Sequence, residues 1–264
     1  MAITVVALHR YVVKSCRGEA LAHAALDARG IADDRRFMVV DGEGGFLTQR
    51  QLPALALIVP RLDGDHLHVN AAGRAGLAID LAKPRARRAV TVWEHHGAGE
   101  DCGDAAAAWL SAALGRTARL VRMPDDEVRP VDPRFAATPG DQTGFSDGFP
   151  LLLINRASLA ALDARLDVPA PLDRFRPNVV IDGADAFAED AWSRIRIGPV
   201  EFAVVKPCAR CVTITVDQAT AKLSREPLGT LAAFRSVGGK VLFGQNLVHR
   251  GLGTLHLGDT LHVR

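Results

Sequence analysis

Two cysteines in one short segment are the side chains best suited to chemistry in this sequence. The segment reads Lys-Pro-Cys-Ala-Arg-Cys at residues 206–211, and it contains Cys208 and Cys211, two of the four cysteines of the chain. The cationic neighbours Lys206 and Arg210 favour the thiolate form of a cysteine. A thiolate can bind a soft metal, take part in redox exchange or form a disulfide. This segment is therefore the first candidate for a reactive site.

Three interpretations of this cysteine pair stay open on spacing alone. A zinc site needs about four ligands, and beyond the pair the sequence offers only Cys16, Cys102 and isolated histidines. A redox pair of the thioredoxin type lies at the start of a helix, whereas residues 212–216, Val-Thr-Ile-Thr-Val, predict a strand. Both thiols could also be small residues of the hydrophobic core.

Composition indicates an ordinary globular protein and excludes several classes. The 264 residues, 48% hydrophobic and 23% charged, are enough for one large domain or two smaller ones. A net charge of +2 and 5% aromatic residues give no sign of nucleic-acid binding. The longest apolar stretches, residues 52–60 and 149–154, are far shorter than the roughly 20 residues of a membrane span. The start, Met-Ala-Ile-Thr-Val-Val, does not resemble a signal peptide, so we expect a cytoplasmic protein without a membrane partner.

Short apolar or β-branched runs, separated by Gly, Pro and Asp, dominate the chain and predict many strands. They span residues 3–8, 37–40, 55–59, 67–69, 89–93, 200–205, 212–216, 247–249 and 260–263. The segment Asp-Gly-Glu-Gly-Gly at residues 41–45 is typical of a hairpin turn, because its dipeptides supply the positive φ that such turns need. This spacing favours a β-barrel or β-sandwich with a few helices.

Three helices are predicted. Residues 104–114 begin with an acidic residue and are followed by glycine, as helices often are. Residues 158–166 have leucines at helical spacing, and residues 225–235 have a proline in the first turn. Residues 19–29 favour a helix by propensity but are too short and too evenly apolar to assign. The polar, proline-bearing stretch 124–144 predicts a long loop that divides the chain into two halves.

Several motifs in chain order carry a resemblance to the MOSC family. Lys-Pro-Cys-Ala-Arg-Cys-Val-Thr-Ile-Thr-Val-Asp at residues 206–217 resembles the signature of that family. Residues 11–18 (Tyr-Val-Val-Lys-Ser-Cys-Arg-Gly), 34–41 and 46–51 resemble the β-barrel module that precedes MOSC domains, and residues 175–178, 189–192 and 242–246 resemble the MOSC domain itself. The resemblance extends over nearly the whole chain. It implies an α+β fold that is mainly β, with an N-terminal barrel domain at residues 1–122 and a MOSC β-barrel domain with flanking helices at 123–264.

The resemblance also implies a cofactor and its ligands. In the reductase branch of the family, the position of Cys211 is the protein ligand to molybdenum and the centre of catalysis. Soft thiolate ligands suit a redox-active metal, and arginines suit the phosphate of the pterin in the molybdenum cofactor. The residues implied to contact that cofactor are Lys14, Ser15, Arg35, Asp147, Arg176, Ala209 and Arg210. They come from both halves of the chain, so we expect the site between the halves.

The implied activity is the reduction of N-hydroxylated or other N-oxygenated small molecules by oxygen-atom transfer. The sequence has no ferredoxin-type cysteine cluster, so electrons are expected from separate donor proteins of the ferredoxin or reductase type. MOSC domains also terminate cofactor sulfurases, whose desulfurase domain binds pyridoxal phosphate. That domain is not in this sequence. A non-catalytic carrier of molybdenum cofactor or of persulfide sulfur is therefore the alternative.

Overall fold

The computed structural model describes residues 2–83 and 85–264, and its regular elements are mostly strands. The strands are β1 (Ile3–Arg10), β2 (Glu19–Leu21), β3 (His23–Asp27), β4 (Gly30–Ile31), β5 (Phe37–Val40), β6 (Val59–Asp63), β7 (His66–Asn70), β8 (Leu77–Asp80), β9 (Arg87–Val92), β10 (His95–Asp101), β11 (Arg119–Arg122), β12 (Leu151–Asn155), β13 (Val179–Asp182), β14 (Arg194–Ile197), β15 (Val200–Arg210), β16 (Ser236–Val237), β17 (Lys240–His249), β18 (Thr254–His256) and β19 (Thr260–Val263). The helices are α1 (Asp104–Leu114), α2 (Arg156–Asp163) and α3 (Leu228–Phe234), and 3-10 helices span Pro53–Leu57, Leu172–Arg174, Ala188–Ala191 and Val212–Thr215. The predicted mainly-β fold with some α is confirmed.

Seven strands form a closed barrel. Around the barrel their order is β12, β13, β1, β19, β14, β15 and β17, and β17 pairs again with β12. The pairs are antiparallel except for β12 and β13, which run parallel. Closure removes free sheet edges and lets one face of every strand point into a common core. Leu8, Ile181, Phe202 and Leu247, from four different strands, are fully or almost fully buried there.

The first 27 residues contribute to this barrel although most of its strands come from the second half of the chain. β1 lies between β13 and β19, where it pairs with both, and β3 pairs with β18. The barrel is therefore completed by the N-terminal segment. The predicted division of the chain between residues 122 and 123 stays a prediction.

The remainder of the N-terminal half is an open half-barrel. Its sheets have the strand orders β5-β11-β10-β9 and β6-β7-β8. Helix α1 covers them, with Ala106 and Leu110 in the same core as Leu67 of β7 and Leu120 of β11. The helix ends at Gly115, whose φ of 68° is the left-handed conformation that glycine allows at little cost.

The structure corrects two predicted strands. Residues 55–59 and 212–216 were expected to be strands because of their β-branched and apolar side chains, but they overlap 3-10 helices at Pro53–Leu57 and Val212–Thr215. Pro53 favours a helix start because it has no N–H to donate to a ladder. After Cys211 the chain turns, and only Ile214 and Thr215 of the following turn enter the core. Local propensity is therefore overridden by packing.

Other elements follow the sequence more closely. Helix α1 has the predicted bounds, α2 begins two residues before the predicted start at 158 and ends three before the predicted end at 166, and α3 begins after the proline expected in its first turn. Residues 19–29, not assigned from sequence, contain β2 and β3. Residues 124–144 are all described and contain no helix or strand, which confirms the predicted loop. No helix of the described ranges is long and apolar enough to cross a membrane.

Candidate functional site

A cavity of about 280 Å³ lies where the N-terminal segment and half-barrel meet the closed barrel. Strand β15 and the 3-10 helix after it form one wall. The loops that follow β1, β4 and β5, the segment before β12 and the segment before β13 supply most of the other lining residues. The structure brings all eight residues that the sequence singled out to this cavity: Lys14, Ser15, Arg35, Asp147, Arg176, Ala209, Arg210 and Cys211. Their roles toward a cofactor stay predictions.

Cys211 is the single residue between the end of β15 and the start of the 3-10 helix Val212–Thr215. Its Sγ is 3.4 Å from Nε of Arg50 and 3.3 Å from Oγ1 of Thr213. Burial alone would raise the pKa of the Cys211 thiol, but its hydrogen bonds with Thr213 and Arg50 outweigh burial and hold that pKa below its ordinary value. The sulfur is therefore prepared to act as a thiolate.

The second thiol of the motif has a different environment. Sγ of Cys208 accepts a hydrogen bond of 3.1 Å from Nη1 of Arg210. Arg210 also donates from Nη2 to the carbonyl oxygen of Phe175, at 2.7 Å. Its buried Nε has no hydrogen-bond partner among the residues that the structure describes. All four cysteines are free thiols, so the pair in this motif is not a disulfide.

Lys14 is the buried cation of the site. Its side chain is 6% exposed and its Nζ lies 2.5 Å from Oδ1 of Asp147. Burial lowers the pKa of Lys14 to about 8, although the Asp147 carboxylate opposes the shift. Asp147 also accepts hydrogen bonds from Nη2 of Arg50 and Nε1 of Trp93, both at 3.2 Å. Asp147 thus ties the buried ammonium to the Arg50 side chain that contacts Cys211.

Three of the predicted cofactor contacts have a backbone conformation that is unfavourable for their residue type. Ser15, Arg35 and Arg176 have φ values of 67°, 48° and 56°. A left-handed conformation costs a non-glycine residue roughly 1–2 kcal/mol, and such residues concentrate at functional sites. Hydrogen bonds to the backbone of these residues maintain it: Gln49 donates to the carbonyl oxygen of Ser15 at 2.7 Å, and the backbone N–H of Phe145 donates to the carbonyl oxygen of Arg35 at 2.7 Å.

More cations than carboxylates line the cavity, although Arg35 and Arg174 pair with Asp34 and Asp217 beside it. Burial and the charge of Arg35 lower the pKa of Arg176 to about 10. Arg176 donates from Nη1 to the carbonyl oxygen of Cys16, but its buried Nη2 has no acceptor within residues 2–83 and 85–264. Arg174 also lines the cavity, and its buried Nε likewise has no hydrogen-bond partner among the described residues. Unpaired N–H groups on clustered cations fit an anionic ligand such as a phosphate ester.

The described residues offer few protein ligands for a metal ion. Over the described part of the chain, no group of three or more His, Cys, Asp or Glu side chains could hold a metal ion. Cys211 could therefore supply one thiolate to a metal whose remaining ligands come from an organic cofactor. Together with the free arginine N–H groups, this donor set fits a metal bound to a phosphate-bearing cofactor, and it offers no zinc site of four protein ligands.

Sequence reasoning missed several residues of the cavity. Arg50, Thr213 and Arg174 line it and contact Cys211 or contribute charge, yet none was selected. Arg50 lies in the segment 46–51 that carried part of the family resemblance, and Arg174 is two residues before Arg176, so proximity to those motifs was the available signal. The hydrogen bond between Arg50 and Cys211 joins residues 161 positions apart, which no local pattern reveals.

Family models and related proteins match nearly the whole chain. A family model described as the MOSC N-terminal beta barrel domain matches residues 2–117, and one described as the MOSC domain matches residues 140–262. Mitochondrial amidoxime-reducing component 1 of Homo sapiens is 38% identical over 98% of this chain and 82% of its own length. Mitochondrial amidoxime reducing component 2 of Homo sapiens is 31% identical over 98% of this chain and 83% of its own length. Molybdenum cofactor sulfurase of Danio rerio is 34% identical over 94% of this chain, which corresponds to 32% of the sulfurase.

Proposed function

This chain belongs to the MOSC family, with an N-terminal MOSC β-barrel domain and a MOSC domain, and from this premise we propose that it is a molybdenum-cofactor-dependent reductase of N-hydroxylated and other N-oxygenated compounds. The observation that carries the proposal is the convergence of the Cys211 thiol and a cluster of buried cations on one cavity. The names of the relatives, amidoxime-reducing components and a molybdenum cofactor sulfurase, support the same cofactor and substrate class.

In this proposal the cavity residues divide into two groups. Cys211 provides the thiolate ligand to molybdenum, and Arg50 and Thr213 orient its sulfur through their contacts of 3.4 and 3.3 Å. The residues proposed to hold the pterin and its phosphate are Lys14, Ser15, Arg35, Asp147, Arg176, Ala209 and Arg210. Nη2 of Arg176 and Nε of Arg210 have no hydrogen-bond partner among the described residues, so a phosphate oxygen that reached them would break no existing hydrogen bond.

The overall reaction consumes two electrons and two protons for each substrate. When bound, the cofactor supplies a redox-active metal that accepts an oxygen atom from the substrate nitrogen. A hydroxylamine or amidoxime N–OH group becomes N–H, and the oxygen leaves as water. The two electrons come from separate donor proteins of the ferredoxin or reductase type, and the substrate is a small molecule that enters the cavity beside Cys211.

The protein's own contribution is binding and orientation. The Lys14–Asp147–Arg50 chain of contacts fixes the side chains around Cys211 before any ligand binds. Preorganised charges avoid the cost of reorganising at the moment of reaction. We infer that these three side chains keep the Cys211 sulfur aimed into the cavity while Arg35, Arg176 and Arg210 hold the phosphate.

A pair of cysteine variants tests the proposal, because Cys208 and Cys211 both line the cavity and lie three residues apart. Wild type, Cys211→Ser and Cys208→Ser are purified from a host that makes the cofactor, and molybdenum and pterin are measured per chain. N-reduction is assayed with an aryl amidoxime and an artificial electron donor. We expect wild type and Cys208→Ser to hold molybdenum and to reduce the substrate. Cys211→Ser is expected to lose roughly 100-fold in rate per bound cofactor, the upper end of the effect of removing a metal ligand's support, and molybdenum and pterin should fall together because the remaining metal ligands belong to the cofactor. An unchanged rate in Cys211→Ser would contradict the ligand assignment.

The alternative proposal is a non-catalytic carrier of the cofactor or of persulfide sulfur on Cys211. The match to the molybdenum cofactor sulfurase over 94% of this chain favours it. A carrier would hold cofactor loosely or accept sulfur on Cys211, and would show no N-reduction in the same assay. Protein that contains molybdenum but does not turn over with an artificial donor would therefore support the carrier over the reductase.

A further inference from the structure

Tyr11 supports two of the cavity's arginines although it does not itself line the cavity. It follows β1, and 2% of the residue is exposed. The guanidinium carbon of Arg35 lies 4.3 Å from the centroid of its ring, and that of Arg176 lies 4.2 Å from the same centroid. A cation within about 6 Å of an aromatic ring face is attracted by the ring quadrupole. One ring therefore attracts both guanidinium groups.

Tyr11 is held in place by contacts from both halves of the chain. The backbone N–H of Tyr11 donates to Oδ1 of Asp34 at 2.8 Å, and the Tyr11 hydroxyl donates to the carbonyl oxygen of Pro177 at 3.1 Å. The backbone N–H of Arg35 donates to the Tyr11 carbonyl oxygen at 2.7 Å. These bonds connect Tyr11 directly to the chain segments that carry the two arginines.

Gly18 leaves the space that the ring occupies. A Cβ atom placed on Gly18 would overlap Cε1 and Cδ1 of Tyr11. Any larger residue at position 18 would have to displace the ring away from its present position between the segments that carry Arg35 and Arg176. The position of the ring therefore depends on the absence of a side chain at position 18.

The two arginines need such a support because they repel each other in a buried environment. The charge of Arg35 is one cause that, with burial, lowers the pKa of Arg176 to about 10. Both also have the left-handed backbone conformation that their residue type disfavours. The buried Asp34 carboxylate, 2.5 Å from Nη1 of Arg35, pairs with one of the two cations. The neutral ring attracts both cations and so opposes the repulsion that remains. Burial keeps the pKa of the Tyr11 hydroxyl well above its ordinary value, so the ring stays neutral.

We propose that Tyr11 is a positioning residue that holds Arg35 and Arg176 in place, through the face of its ring, for a phosphate-bearing ligand. The identity of that ligand as the molybdenum cofactor rests on the proposed function. Without the attraction of the ring, binding would have to bring two separated cations together, and affinity would fall by that cost of organisation.

The test changes the electron density of the ring while keeping its shape. Position 11 carries Tyr, Phe (Tyr11→Phe) or 3,4,5-trifluorophenylalanine introduced during translation. Each full-length protein is made without cofactor for titration with inorganic phosphate, and with cofactor for measurement of pterin per chain. Tyr11→Phe removes the hydroxyl bond to Pro177 but keeps the ring face, whereas fluorination withdraws electrons from the face.

We expect phosphate to bind Tyr11→Phe within about twofold of wild type and the trifluoro variant about tenfold more weakly. Pterin per chain should fall in the same order, while the thermal midpoints of the Phe and trifluoro proteins agree. A purely structural role for Tyr11 predicts instead that affinity follows stability, with Tyr11→Phe already impaired. Equal phosphate affinity in the Phe and trifluoro proteins would overturn the proposal. The wild-type protein could lack pterin while the three proteins still show the expected order of phosphate affinities. That result would contradict the proposed cofactor but would support the role of Tyr11 in positioning the two arginines.

Gly18→Ala tests the same inference without altering Tyr11. Its added methyl group should displace the ring and weaken phosphate binding as fluorination does. Gly42→Ala is the matched control, because a Cβ on Gly42 meets nothing within 4 Å, and we expect unchanged affinity. If Gly18→Ala folds and binds phosphate like wild type, the ring position does not matter for the anion site.

Discussion

At the scale of single residues, Lys14 contributes a positive charge to the cavity but lowers the stability of the fold because that charge is buried. Its side chain is 6% exposed, and its pKa falls from 10.5 to about 8. Between these two values the unfolded chain binds more protons than the folded protein, so stability rises with pH there. Below pH 8 the buried ammonium therefore costs stability, on the order of 1–3 kcal/mol.

We predict that Lys14→Met stabilises the cofactor-free protein at neutral pH by roughly 1–3 kcal/mol and abolishes most cofactor loading. Asp147 keeps Arg50 as a partner in this variant and is 61% exposed, so its charge stays solvated. Urea denaturation from neutral pH to about pH 10.5 measures the difference, which should shrink above pH 8 as wild-type Lys14 loses its proton. Lys222→Met, at an exposed position, is the control and should change stability by less than about 0.5 kcal/mol. A destabilised Lys14→Met protein would show that the ion pair with Asp147 outweighs the cost of burial.

Three of the four cysteines, Cys16, Cys102 and Cys211, should differ sharply in reactivity. Burial raises the pKa of both Cys16 and Cys102 to about 12, whereas contacts with Thr213 and Arg50 lower that of Cys211. We predict that iodoacetamide at neutral pH labels Cys211 in the cofactor-free protein long before Cys16 or Cys102, as followed by peptide mass spectrometry. Cofactor loading should protect Cys211. Early labelling of Cys16 would mean that the segment after β1 opens in solution.

At the scale of elements, the 3-10 helix Val212–Thr215 sets the position of Cys211. Ile214 is 1% exposed and packs in a core with Phe175, Leu231 and Phe243, whereas Val212 is 41% exposed. We predict that Ile214→Ala costs roughly 2–4 kcal/mol of stability, as large-to-small core substitutions do, and that it lowers molybdenum per chain. Val212→Ala, in the same turn, should cost less than about 1 kcal/mol. Urea denaturation and metal analysis check both variants, and equal losses would show that Ile214 does not anchor the turn.

Two elements, helix α1 and the 3-10 helix after Cys211, show which parts of the secondary structure could be predicted from the sequence and which could not. Helix α1 was predictable because its acidic start, alanine-rich interior and terminal glycine are local signals. The turn after Cys211 was not, because Val-Thr-Ile-Thr-Val has the composition of a strand and only tertiary packing decides otherwise.

The residues of the site likewise fall into those that the sequence predicted and those that it did not. Motifs placed Lys14, Arg35 and Arg176 near one cofactor, and the structure brings them to one cavity. The contact of Arg50 with Cys211 and the support of two arginines by Tyr11 join distant parts of the chain. Neither contact leaves a local signature in the sequence, so both were missed.

At the scale of the whole molecule, the closed barrel depends on the first strand of the chain. β1 fills the position between β13 and β19, and Val5 and Leu8 are in the barrel core. A fragment of residues 123–264 would lack this strand and expose two unpaired strand edges. We predict that this fragment does not unfold cooperatively in urea and that its amide NMR spectrum is poorly dispersed.

Adding the N-terminal strands back should restore the barrel. Arg29 donates to the backbone oxygens of Pro124, Asp125 and Glu127 at 3.3, 2.8 and 2.6 Å, so the chain at residue 31 lies near the chain at residue 124. A short Gly/Ser linker can therefore join residues 2–31 to residues 124–264 and omit the half-barrel. We expect this protein to regain a cooperative transition and dispersed amide signals, but to lose cofactor, because Arg35 and Arg50 are absent. If the 123–264 fragment folds by itself, the division of the chain between residues 122 and 123 is supported. If folding requires the addition of residues 2–31, the first four strands belong to the barrel domain. The half-barrel is then an insertion within that domain.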